Sequence, residues 1–75
     1  RLSADDLLEC ISRLPTGYRT VFNLYAIEGY THKEIAAMLH IQEITSRSQF
    51  ARARKALQEM VQSLIAQDNV SRNRT

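Results

Sequence analysis

Proline occurs once in these 75 residues, at Pro15, glycine twice, at Gly17 and Gly29, and tryptophan not at all. So few breaking residues, with 44% hydrophobic and 24% charged residues, exclude a disordered tail and suit a globular helical domain. Cysteine is just as scarce. Cys10 alone cannot close an internal disulfide, and it has no Cys or His neighbours at ligand spacing, so it reads as a core thiol in a reducing compartment. His32 and His40 stand eight residues apart without a third ligand, which leaves neither a metal site nor a catalytic pair. The acids Asp5, Asp6 and Glu9 are better explained as a solvent face at a helix start than as paired catalytic carboxylates. No apolar run approaches the ~20 residues of a membrane-spanning helix, and no basic-then-apolar leader opens the chain. A soluble, cytoplasmic, non-enzymatic domain without cofactor is therefore expected. The absence of an initiator Met at Arg1 suggests that it was cut from something longer. A chain of this size buries only roughly 60% of its unfolded surface, so there is room for a single core.

The net charge of +2 is unevenly placed. Residues 1–30 hold three bases (Arg1, Arg13, Arg19) against four acids (Asp5, Asp6, Glu9, Glu28), a net of −1. Residues 31–75 hold seven bases (Lys33, Arg47, Arg52, Arg54, Lys55, Arg72, Arg74) against four acids (Glu34, Glu43, Glu59, Asp68), a net of +3. Between Ile44 and Gln58 lie four bases and no acid. A local block of that kind is the footprint of a phosphate-binding surface, although a solvated helix face would look the same by charge alone.

Hydrophobic spacing predicts four helices and no strand. Ser3 caps the first, with Asp5 and Asp6 complementing the dipole, and Leu7, Leu8, Ile11 and Leu14 recur at helical intervals until Pro15 stops the run. Thr16 is placed to cap a second helix carrying the apolar stripe Tyr18, Val21, Phe22 and Tyr25, which is expected in the core, and Gly29 ends it. Thr31 with Glu34 three residues on forms a capping box for a short third helix that buries Ile35, Ala36 and Leu39. After the tight connection His40-Ile41-Gln42, a long fourth helix runs from near Glu43 to about Gln67. Residues 1–67 thus form the domain, and residues 68–75 are expected to be a flexible tail.

A short capped helix, a three-residue turn and a longer basic helix make an all-α helix-turn-helix domain of four helices without winged elements, in which the last helix enters the DNA major groove. At roughly 100° per residue, Phe50, Ala53, Leu57, Met60, Val61 and Leu64 of that helix share an inner side, while Ser48, Arg52, Lys55 and Glu59 project from the opposite one. Thr45 and Ala51 lie near the outer face, and Arg47 and Arg54 flank it. Small outward residues let the helix lie close to the groove floor while long arms reach phosphates and base edges. Arg52 is the candidate for a two-bond contact with guanine. Arg47, Arg54 and Lys55 are candidate phosphate anchors. Lys33 and His32, at the start of the third helix, complete the expected DNA-binding set, with His32 exposed or touching a phosphate.

These residues also carry a resemblance. Leu14-Pro15, Tyr18-Arg19, Val21-Phe22, Leu24-Tyr25, Glu28-Gly29-Tyr30, Lys33-Glu34-Ile35-Ala36, Leu39, Ile41, Thr45, Ser48, Arg52-Ala53-Arg54 and Leu57, in this order, resemble region 4 of RNA polymerase sigma factors of the extracytoplasmic-function (ECF) type. The likeness covers roughly residues 7–60, and Thr45-Ser46-Arg47-Ser48-Gln49 looks like the variant found in Bacteroidetes members. It implies recognition of the promoter element near minus 35 in double-stranded DNA, with Arg47, Ser48, Ala51 and Arg52 at the positions that meet DNA. It also implies docking to the beta flap of the RNA polymerase core and often to an anti-sigma factor. The chain departs from the family pattern where Ser then Glu-Gly is usual: Gln42, Glu43 and Ile44 stand there, Gln42 being a poorer N-cap and Ile44 unsuited to a left-handed turn. Ser46 replaces a usual apolar residue, which suggests a hydroxyl bonded to backbone. Two other readings share the elements. One is a module whose chief role is protein docking through the helix of Leu7, Leu8 and Ile11. The other is the helix-turn-helix domain of response regulators, which shares Lys33-Glu34-Ile35-Ala36 but usually dimerises through a helix following the recognition helix.

Overall fold

Four α-helices and one π-helical turn account for the described chain: α1 Ala4–Ser12, α2 Thr16–Phe22, the π-turn Asn23–Ile27, α3 His32–Leu39 and α4 Glu43–Asn73. The computed structural model describes the backbone of residues 2–73 and the side chains of residues 2–67, and no strand occurs among them. The expected tail, residues 68–75, lies outside the described side chains, and α4 is helical up to Asn73.

Each helix starts for a local reason. In α1 the Ser3 hydroxyl accepts from the Asp6 N–H at 3.1 Å, and the Asp6 carboxylate accepts from the Ser3 N–H at 3.0 Å, a reciprocal capping box. The Ser3 backbone N–H first, and the Ser3 side chain second, hold the Asp6 carboxyl below the usual aspartate range. The same device opens α3, where Thr31 and Glu34 exchange bonds of 3.1 and 2.9 Å. The second helix departs from expectation. Pro15, with φ −52° and ψ 146°, is its N-cap, no side chain caps it, and Thr16 is already its first residue. Proline's ring fixes a φ suited to a helix entrance, so the chain turns into α2 one residue earlier than a threonine cap would allow. At the preceding end, Arg19 Nη1 donates to the Ser12 carbonyl at 2.9 Å, giving a C-terminal carbonyl of α1 a cationic partner.

The π-turn was not legible in the hydrophobic spacing. Glu28 N–H donates to the Asn23 carbonyl and Tyr30 N–H to the Leu24 carbonyl, both at 2.9 Å, so the ladder widens after Phe22. A widened turn shifts every later side chain out of the 3.6-residue phase. Val21 is therefore buried and Tyr18 and Phe22 pack on the core as expected, but Tyr25 falls out of the stripe and is 39% exposed. Gly29 closes the segment at φ +83°, the left-handed backbone that glycine takes without a Cβ penalty.

The core lies between α1 and α4. Cys10, Ile11 and Leu14 meet Ala53 and Leu57, with Tyr18, Phe22, Met60 and Leu64 packed around them. Cys10 is a buried free thiol. Leu7 and Leu8, expected to belong to the periodic apolar set of α1, stand in solvent at 42% and 59% exposure. Helix α4 is the element against which α1, α2 and α3 all pack. One helix thus supplies both the core's long wall and, on its far side, a free surface.

Candidate nucleic-acid interface

The turn between α3 and α4 sets the angle of the recognition helix. Leu39 ends α3, His40 adopts a left-handed conformation (φ 57°, ψ 44°), and its N–H, like that of Ile41, returns to the Ala36 carbonyl. The Gln42 carbonyl then accepts from the Ser46 N–H at 3.1 Å, opening α4 at Glu43. Ile44 is inside the helix, so the left-handed residue that the connection needs is supplied four positions earlier, by His40.

Where α3 starts, an aromatic and polar cluster pins it to α4. Ser46 is wholly buried, and its hydroxyl shares a 2.8 Å hydrogen bond with His32 Nδ1. The partner is thus a side chain on the neighbouring helix rather than the backbone. A buried hydroxyl without a partner costs about 1–3 kcal/mol, so this bond constrains how α3 sits on α4. The His32 ring lies flat on Tyr25 (centroids 4.1 Å apart, 8° between planes) and edge-on to Phe50 at 5.9 Å. Phe50 in turn contacts Tyr25 at 4.7 Å and stacks with Phe22 at 5.7 Å. His32 is consequently half-buried rather than exposed, with its Nδ1 engaged by Ser46. The π-turn is what brings Tyr25 to it.

The outer face of α4 is open. Ser48, Ala51, Arg52, Arg54, Lys55 and Glu59 are exposed, while Ala53 and Leu57 are 0% and 6% exposed and Phe50, Met60, Val61 and Leu64 half-buried. Thr45 is half-buried at the edge of this face. Arg47 is exposed and paired with Glu43 one turn earlier, and Lys33 stands in solvent at the start of α3. Both members of the Arg47–Glu43 pair are well exposed, so the pair is worth little and can open to a phosphate. Within α4 the expected residues lie on the outer face or at its edge, while Lys33 and His32 belong to the first turn of α3. Among the described residues no group of three or more His, Cys, Asp or Glu side chains is arranged to hold a metal. Among the described residues no helix is long and apolar enough to cross a membrane.

Fold and surface together define a helix-turn-helix domain that presents a cationic, small-residue face. The chain matches the family model "Sigma-70, region 4" over residues 4–57, well over half of its length, and belongs to that family. Region 4 of sigma factors is a DNA-binding rather than a catalytic domain, used in transcription initiation. No curated protein and no solved structure matches it.

Proposed function

We propose that this chain reads the minus-35 promoter element in the cytoplasm as the C-terminal domain of an ECF-type sigma factor, of the variant resembling those of Bacteroidetes. The observation that carries the reading is the exposed face of Ser48, Ala51 and Arg52 on a helix whose opposite side, at Ala53 and Leu57, is sealed in the core. On this reading Arg52 contacts a guanine edge, Ser48 and Ala51 allow close approach, and Thr45 borders the groove. Arg47, Arg54, Lys55 and Lys33 meet phosphates, and His32 serves the interface by bracing Ser46 beneath it. Titrating the protein with promoter duplexes at several salt concentrations tests this. Affinity should fall steeply as salt rises, and an affinity indifferent to salt refutes it.

A second reading concerns a partner protein and is compatible with the first. Between α1 and the distal part of α4 lies a cleft of about 580 Å³ lined by Cys10, Met60 and Leu64 and by Asp5, Asp6 and Glu9, and α1 also exposes Leu7 and Leu8 outside it. An RNA polymerase beta flap or an anti-sigma factor is the expected occupant. Leu8→Asp should abolish capture of RNA polymerase core and leave duplex binding intact, and loss of both together would reject the separation.

A further inference from the structure

Ile44 is the most exposed large hydrophobic residue described, at 66%, and it stands in the first turn of α4. An isolated apolar side chain on a surface is ordinary. Its setting is not. At roughly 100° per residue it falls about 40° from Ser48, on the same outer face as Ala51, Arg52 and Lys55. Every long side chain of the first three turns of that face, Ile44 excepted, is polar or cationic, and the residues one and two turns along, Ser48 and Ala51, are the smallest there. A β-branched residue has no advantage at an exposed helical position, where straight-chain residues are better formers. In helix-turn-helix docking the N-terminal residues of the recognition helix approach the base edges most closely. The one apolar feature that a major groove offers such a side chain is the C5-methyl group of thymine.

We propose that Ile44 is a specificity-determining residue that packs against a thymine methyl in the major groove, so that this chain selects a T at the base pair facing the first turn of α4. The inference rests on the reading of α4 as the recognition helix. Ile44 supplies shape and apolar contact where Arg52 supplies hydrogen bonds, and the two work at different base pairs because they are eight residues, or about 12 Å of helix, apart. The Glu43–Arg47 pair beside Ile44 holds the Glu43 carboxylate against a guanidinium, which lessens its repulsion of the backbone phosphates.

The test selects binders from a randomised duplex pool with the 75-residue chain, then replaces each thymine of the selected duplex in turn by deoxyuridine, which removes only the methyl. One position should weaken wild-type binding by about three- to five-fold, the effect of one lost methyl contact. Ile44→Ala, a change toward higher helix propensity, should bind the thymine and uracil forms of that duplex equally, and Ile44→Val should retain part of the difference. Circular dichroism checks that each variant is folded. If Ile44→Ala keeps the wild-type ratio at every thymine, or if no thymine matters to the wild type, the assignment is overturned while α4 remains a DNA reader. Failure of the wild type to bind any duplex would overturn the reading beneath it as well.

Discussion

The inner face of α4 carries Ala53 and Leu57, 0% and 6% exposed, whereas Ser48, Ala51 and Arg52, from the same turns, stand in solvent. Two serines make the contrast sharper. Ser46 is wholly buried and bound to His32, while Ser48, two residues on, is exposed. On the inner face a side chain is held by packing and by the need to satisfy every polar atom. On the outer face size and charge are free to suit a ligand. Substitutions should therefore divide into those that cost folding and those that cost binding.

The largest effect belongs inside. Leu57→Ala, which hollows the core against Ile11 and Leu14, should destabilise the fold by about 2–5 kcal/mol in urea titration, most of the stability of so small a domain. Arg52→Ala should leave the melting temperature in place and weaken the cognate duplex by about 1–3 kcal/mol, with blurred sequence preference. Lys55→Ala should weaken all duplexes alike and lower the salt slope by about 1. Equal behaviour of these two variants would erase the division into base reader and phosphate anchor. Ser46→Ala should cost about 1 kcal/mol of stability through the orphaned His32 Nδ1, and Ser48→Ala within about 0.5 kcal/mol of nothing. Parity between the two serines would dissolve the contrast of faces.

Smaller still is His40→Gly. Relief of the left-handed strain, less the entropy that glycine loses, leaves a stabilisation of under about 1 kcal/mol by thermal melting. Finally, Asp6 has a lowered pKa in the folded state, so its contribution is complete above the usual aspartate value and disappears as pH falls through the lowered one. Asp6→Asn should flatten the stability profile in that acid window and nowhere else.

Much of this was legible in order along the chain. The capping pairs Ser3–Asp6 and Thr31–Glu34 announce α1 and α3, Gly29 announces its own turn, and the spacing of Phe50, Ala53 and Leu57 announces the buried side of α4. These signals are local, each acting within a turn or two of itself. The π-turn is different. Its widened ladder leaves no mark in an apolar repeat, so the spacing that assigns Val21 to the core also assigns Tyr25 there, wrongly. Leu7 and Leu8 mislead for a related reason: periodicity shows that a stripe exists, and not how much of it a 75-residue fold has neighbours to cover. In the interface, the exposed Arg52 and Lys55 followed from the wheel, but the role of His32 did not, since its partner Ser46 lies fourteen residues away.

By itself the chain of residues determined the number and order of the helices, the buried side of α4 and the cationic character of the opposite side, because caps, breakers and helical periodicity operate between near neighbours. Only the tertiary structure decided that Leu7 and Leu8 stay uncovered and that Tyr25, His32, Ser46 and Phe50 lock α3 onto α4. Those outcomes depend on groups distant in sequence sharing one small volume, where each buried polar atom must find its partner among whatever the packing brings near.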